Sequence, residues 1–199
     1  MELIVATHNL GKLEEMRRGL RDAAPTVRLR PVTDFLSSLP DAPAENGSTY
    51  LENALIKAAF YADLLGRPVI ADDGGLELTA FPNLLGLHTS RFFKGESDRA
   101  KNQEILSLFE NTAASRKAHL HACLVYYRSS EDFLTAEGTL TGEIVPEKGE
   151  MGYGFDRIFW LPTEKKTLAQ LPQSQRDGYS PRVQALLALI EQLRGEEHV

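Results

Sequence analysis

Cysteine is nearly absent. Cys123 is the only one in 199 residues, so no intrachain disulfide can form. It lies in the apolar run Ala122-Cys123-Leu124-Val125 and reads as a buried core thiol, not a catalytic one. That usage suits a reducing cytosol, and a cytoplasmic protein is expected. No apolar run is long enough to span a membrane, and no basic segment with a long apolar stretch behind it precedes the first strand. Neither a membrane partner nor a secretory signal is expected. Positive charge is not in excess: 22 Lys and Arg against 28 Asp and Glu leave a net −6. This argues against a nucleic-acid polymer as partner, while a local basic pocket can still hold a small anion. The chain also lacks an internal repeat, a linker, a low-complexity segment, a Walker loop and a Gly-x-Gly-x-x-Gly spacing.

What is present is ordinary globular composition, 42% hydrophobic and 25% charged. The length allows one large domain or two small lobes. The most informative stretch is Pro68-Val69-Ile70-Ala71-Asp72-Asp73-Gly74-Gly75-Leu76. Its apolar, partly β-branched start reads as a buried strand with Asp72 and Asp73 at the C-terminal edge, where α/β sheets place their ligands. Alternation along a strand points the two carboxylates in different directions. So close a pair needs a cation, a donor network or a shared proton to relieve it, and Mg²⁺ takes such oxygen ligands. Alone, Asp72-Asp73-Gly74-Gly75 reads more simply as a polar turn after a strand, with Leu76-Glu77-Leu78 as a further short strand, and the other motifs reverse that preference.

Leu3 to Ala6 reads as a first strand. The loop Thr7-His8-Asn9-Leu10-Gly11-Lys12 follows, then a helix with Leu13, Met16 and Leu20 on one face. Strand, short polar loop and helix present backbone N–H groups to phosphate oxygens. Lys12 opposes the helix dipole, which a bound anion would repair. Val27 to Val32 alternates as a strand, and 37–47 is loop. A second helix opens at Ser48-Thr49, with Thr49 and Glu52 spaced as a capping box, and ends at Gly66. Its expected apolar face is Leu51, Leu55, Ala58, Ala59 and Ala62, with Glu52, Asn53 and Lys57 near one another and Glu45 free in the loop ahead. Thr89 and Ser90 give a hydroxyl pair before Arg91. Ser97 starts a helix with Ile105, Leu106 and Phe109 in the core. Ala118 to Tyr127 and Phe133 to Val145 read as a long hairpin about 129–132. His119 and His121 share a strand face but have no acidic or cysteine partner nearby in sequence, so they are not read as a metal pair. The loop Gly149 to Asp156 combines flexible backbone with flat rings, which suits a planar heterocycle or an aromatic-packed turn. Val183 to Leu193 is an amphipathic helix.

Taken in order, these motifs resemble the inosine triphosphate pyrophosphatase (XTP/dITP diphosphatase) family over nearly the whole chain. Thr7-His8-Asn9-x-x-Lys12 is similar to its phosphate loop. Glu45-x-Gly47-x-Thr49-Tyr50-x-Glu52-Asn53-Ala54, with Lys57 a turn on, is similar to its second motif, and Ala71-Asp72-Asp73-x-Gly75-Leu76 to its acidic edge. Gly86-Leu87-x-Thr89-Ser90-Arg91 matches the following segment. Gly152-Tyr153-Gly154-Phe155-Asp156 resembles the base-pocket loop, and Ser180-x-Arg182 the last motif.

The resemblance implies an α/β fold, a long twisted mixed sheet flanked by helices, as a single domain over 1–199 whose two lobes surround a central cleft. It implies Mg²⁺-dependent hydrolysis of ITP, dITP or XTP to the monophosphate and pyrophosphate, usually by a homodimer. It gives Glu45 and Asp73 as metal ligands, with Asp73 orienting or deprotonating the attacking water and Asp72 in support. Thr7, His8, Asn9, Lys12 and Lys57 fall at the phosphates, Lys12 also aiding catalysis, and Gly74 is a further substrate-binding position. Tyr153, Gly154, Phe155, Asp156, Arg176, Ser180 and Arg182 fall at the base.

The chain departs from the family at three places. Gly74 stands where Ser is usual, Arg157 where Pro is usual, and Arg176-Asp177-Gly178-Tyr179-Ser180-Pro181-Arg182 replaces Lys-Asn-x-x-Ser-His-Arg. The lost histidine belongs to the group that reads the purine 6-oxo edge, and proline has no side-chain donor. A pyrophosphohydrolase for another base, or a nucleotide-binding protein with weakened catalysis, therefore stays open. A metal-dependent sugar-nucleotide transferase would leave the other motifs as coincidence.

Overall fold

The computed structural model describes residues 1–38 and 40–196, Ser90 by its backbone alone. The elements are β1 (Glu2–Val5), α1 (Leu10–Ala23), β2 (Arg28–Pro31), α2 (Tyr50–Leu65), β3 (Val69–Leu78), α3 (Thr89–Phe92) and α4 (Asp98–Ser107). There follow β4 (Lys117–Ser129), β5 (Asp132–Ile144), β6 (Phe159–Leu161), β7 (Lys166–Thr167), α5 (Gln173–Tyr179) and α6 (Pro181–Glu196). The strands form one seven-stranded sheet in the order β2-β1-β3-β4-β5-β6-β7. β1 runs parallel to β2 and β3, while β5, β6 and β7 are antiparallel. This is the mixed α/β sheet the sequence implies, and β4 and β5 form the expected hairpin, turning at Ser130 and Glu131. The chain divides into two compact units: Met1–Gly74 with Ala122–Gly138 and Ser180–Val199, and Gly75–His121 with Thr139–Tyr179.

In the first unit, side-chain alternation sorts the strands onto two cores. Leu3, Val5, Ile70 and Leu124 pack with Leu13, Met16 and Leu20 of α1 and Ala185, Leu186 and Leu189 of α6. Ile4, Ala6, Val69, Ala71 and Val125 pack with Ala54, Ala58, Tyr61 and Ala62 of α2. Each large buried side chain contributes roughly 1.5–3 kcal/mol. The α1 face is the one its spacing predicts. The α2 face is rotated from expectation: Asn53, Ala54 and Tyr61 are buried, while Leu51, Leu55 and Ala59 are only half-buried. α2 ends at Gly66 in the left-handed conformation (φ 61°, ψ 30°). The capping box is split. Thr49 Oγ1 accepts the Glu52 N–H at 3.1 Å, but the Glu52 carboxylate takes the N–H and hydroxyl of Ser48 (2.6 and 2.7 Å). Glu52 therefore turns away from Lys57.

A second correction concerns β3. It runs unbroken from Val69 to Leu78, so Asp72-Asp73-Gly74-Gly75 is strand and not turn. The parallel pairing with β1 ends at Val5 opposite Ile70, and the Ala6 N–H donates to the Ile70 carbonyl at 2.7 Å. The carboxylates thus lie just past the end of β1, at the edge of the parallel pairing though in mid-strand.

The second unit has its own core, including Leu76, Leu78, Ile105, Phe109, Ile144, Ile158, Phe159 and Leu171. Ser97 caps α4, accepting the Ala100 N–H at 3.2 Å. The segment from Gln173 to Tyr179 is a short helix, α5, just ahead of α6. No helix among the described residues is long and apolar enough to cross a membrane.

Candidate active site

The first unit gathers most of the charged residues singled out by sequence. Asp72 is 1% exposed. Its Oδ2 receives Lys12 Nζ at 2.7 Å and Arg182 Nε at 3.0 Å. Arg182 Nη1 also donates to Glu15 at 2.5 Å. These partners come from α1 and α6, the helices packed on the face to which Ile70 and Asp72 both point. Asp73 has the opposite parity and meets α2: Asn53 Nδ2 donates to its Oδ2 at 3.0 Å. Lys57, one turn on from Asn53, donates to the backbone carbonyl of Asp72 at 2.9 Å and pairs with Glu45 at 2.5 Å. The anion that relieves Lys12 at the start of α1 is therefore Asp72.

Two neighbouring aspartates acquire opposite acidities. Burial alone would raise Asp72, but Lys12, Arg182 and Lys57 hold it far below the usual carboxylate range. Burial raises Asp73 and Glu45 adds to it, while the donors Asn53 and Gly74 N–H and the charge of Lys57 pull it only part of the way back. Burial lowers Lys12, against the pull of Asp72. Burial also acts to lower Lys57, but Asp72, Glu45 and Asp73 outweigh it and raise this lysine. A carboxylate locked in its charged form beside one with raised affinity for a proton is the pattern that separates a structural anion from a base.

The loop donors serve partly as caps. Asn9 Oδ1 accepts the Lys12 N–H at 3.2 Å, and Thr7 Oγ1 accepts the Asn9 N–H at 3.2 Å. His8 is exposed, its Nε2 3.0 Å from the Tyr61 hydroxyl. Ser180 is the cap of α6, accepting the Val183 N–H at 3.1 Å, and Pro181 fills the first helical position, where its missing N–H is not needed. The first position of α6 therefore accommodates the proline found in place of the family's histidine.

A Mg²⁺ ion fits the carboxylates. Glu45 and Asp73 supply hard oxygens near the same lysine. Among those residues no three His, Cys, Asp or Glu side chains converge on one metal position. Mg²⁺ does not require that, since it binds through one or two carboxylates, waters and substrate phosphates.

The base-end candidates from 153 to 176 lie in the second unit. Gly149, Gly152 and Gly154 hold left-handed φ values of 80°, 84° and 61°. Asp156 accepts the Tyr153 N–H at 3.2 Å and faces Arg176 Nε at 3.6 Å. The Gly154 N–H donates to Asp98 at 2.6 Å, and Phe155 packs on Phe93 with ring centroids 5.7 Å apart. Tyr153 is exposed and Arg176 is buried among Gln173, Asp156 and the Leu171 carbonyl. Arg182 and Ser180, grouped with these by sequence, lie in the first unit, Arg182 on Asp72 and Ser180 as the cap of α6.

Sequence reading missed Glu15, Asn53 as the partner of Asp73, and Tyr61. Only Asn53 carried a signal, through its place between Glu52 and Lys57. It also missed an acidic neighbour of the histidine pair. Glu77 lies 3.3 Å from His121 Nε2, and Thr141 and Thr139 hold Nδ1 of His119 and His121 at 2.9 and 3.0 Å.

A family model described as the Ham1 family matches residues 3–192. The dITP/XTP pyrophosphatase of Thermus thermophilus is 36% identical over 193 residues, covering 96% of this chain and 91% of its own. That of Coxiella burnetii is 36% identical over 191 residues, 94% of this chain and 93% of its own. The solved structure of the Staphylococcus aureus Ham1 protein matches with a TM-score of 0.82 at 32% identity, covering 98% of this chain and 100% of that one. The match takes in the loop ahead of α1, the acidic strand and the glycine-aromatic loop alike, and the chain belongs to the Ham1 family.

Proposed function

We propose that this protein hydrolyses the triphosphates of non-standard purines (ITP, dITP, XTP) to the nucleoside monophosphate and pyrophosphate. The observation that carries the reading is the split pair: Asp72 fixed as an anion by Lys12 and Arg182, Asp73 raised toward a proton-accepting role beside Asn53. In the reaction, water attacks the α-phosphorus, its proton passes to Asp73, and the bond to the bridging oxygen breaks so that pyrophosphate departs. Lys12 and Lys57 neutralise phosphate charge, and Thr7, Asn9 and backbone N–H groups at the start of α1 donate to phosphate oxygens. Three cations (Lys12, Lys57, Arg182) face four carboxylates (Glu15, Glu45, Asp72, Asp73), so a triphosphate requires further positive charge. Mg²⁺ bound by Glu45 and Asp73 would supply that charge and polarise the phosphates.

For the base, Tyr153, Phe155, Asp156 and Arg176 are the candidates. Pro181, at the first position of α6, offers no donor, which favours a changed base preference as the second reading. A homodimer rests on the family resemblance alone, and a cytoplasmic setting agrees with the single buried cysteine. The test is pyrophosphate release with Mg²⁺ across ITP, dITP, XTP and the standard NTPs and dNTPs. Preference for the first three supports the proposal. Preference for another base moves it to the second reading, and binding without release from any of them overturns the hydrolase assignment.

A further inference from the structure

His8 is the least explained residue of the phosphate loop, and its ring is held from α2. Tyr61 is 2% exposed and packed with Ala54, Ala58 and Ala62, so the phenol body cannot move freely. Its hydroxyl lies 3.0 Å from His8 Nε2, and the two rings meet edge to face, centroids 5.8 Å apart at 78°. Tyr61 is four residues beyond Lys57, on the helix face that also serves Asp72.

A buried phenolic hydrogen needs an acceptor. Nε2 of His8 is the hydroxyl's only hydrogen-bond partner among the described residues. Burial raises the phenol's pKa, so it keeps that hydrogen at neutral pH. A neutral imidazole has one donor and one acceptor nitrogen. If Nε2 accepts, the ring proton is on Nδ1, and the nitrogen left for a ligand is a donor. Phosphate oxygens only accept, so this tautomer suits them and the other does not.

The geometry points to Tyr61 as a positioning residue that fixes His8 in its Nδ1–H form, giving the Thr7-His8-Asn9 loop a further neutral donor to substrate phosphate. This rests on reading that loop as the phosphate site. It adds a residue from outside the family's motifs and a reason for the histidine.

Nitrogen-15 NMR of the full-length protein with labelled histidine at pH 8, the His8 signals assigned by their loss in H8A, reads the tautomer directly. Nδ1–H in the wild type and a shift toward Nε2–H in Tyr61→Phe are expected. Nε2–H in the wild type overturns the proposal. Titration with inorganic pyrophosphate should show Y61F and H8A each weakening binding about fivefold, the size of one net hydrogen bond. The double variant should be no weaker than H8A. With nucleotide, KM should rise by the same factor while kcat stays within twofold. Multiplying effects, unchanged Y61F affinity or absent pyrophosphate binding each overturn it. If no nucleotide is turned over but pyrophosphate binds as described, the hydrolase reading fails and the His8 assignment stands.

Discussion

The side-chain amide of Asn53 donates to Asp73 across 3.0 Å, and the same side chain accepts the Gly47 N–H at 2.8 Å. One buried residue thereby ties the candidate base to the loop that carries Glu45. Asn53→Ala should lower kcat at least tenfold. It should also cost about 1–3 kcal/mol in urea unfolding, because Gly47 N–H and Asp73 both lose a partner. A variant with wild-type kcat would remove Asn53 from the reaction.

Asp73→Asn should abolish pyrophosphate release while leaving nucleotide binding largely intact. It should also stabilise the metal-free protein. The folded pKa of Asp73 is raised, so folding works against its ionisation: stability declines as pH climbs from the unfolded pKa through the folded one. Removing the charge recovers it. Mg²⁺ should raise the Tm of the wild type and not of D73N. Equal Mg²⁺ shifts would exclude Asp73 as a ligand.

Asp72 has the opposite sign. Its folded pKa is depressed, so its stabilisation is full above the unfolded value near 3.9 and fades as pH falls toward the folded pKa. Asp72→Asn strands Lys12 and Arg182 and should cost about 3–5 kcal/mol at pH 7. Below pH 4 the gap to wild type should narrow by about 1.4 kcal/mol per pH unit. Denaturant unfolding at pH 7 and pH 3 measures both, and a gap independent of pH would show that Asp72 is not the stabilising anion.

Two loop glycines should differ. A Cβ on Gly152 (φ 84°) would lie 2.0 Å from Asp156 Oδ2, whereas Gly154 (φ 61°) opens onto empty space. Gly154→Ala should cost about 1 kcal/mol of left-handed strain. Gly152→Ala should cost more and should disturb the Asp156–Arg176 pair. Thermal melts rank them, and the reverse order would contradict this account of the loop.

Local signals made much of this legible. The spacing of Leu13, Met16 and Leu20, the stop at Gly66 and the long hairpin follow from periodicity and turn chemistry. The residues of the acidic strand and the two lysines stood out by motif. What sequence did not yield depends on distant partners. Gly74 and Gly75 suggest a turn, yet β3 continues through them, held by strands far away in sequence. Glu52 looked like the neighbour of Lys57 because helical spacing permits it, but Ser48 offered it two donors. The contact of Arg182 with Asp72 depends on α6 lying beside β3, which its motif does not tell. Tyr61 gave no signal at all, because a tyrosine on an alanine-rich helix reads as core until its hydroxyl is seen to reach the loop.

Because β3 stays extended through the acidic pair, the difference between Asp72 and Asp73 is one of odd and even positions. The pleat sends one acid toward two helices bearing cations and the other toward a helix bearing an amide. Identical side chains acquire opposite acidities with no chemical distinction between them. Exchanging the two residues would change nothing, while deleting one residue upstream in the strand would trade their occupations. In this protein the division of labour is written in counting, not in residue type.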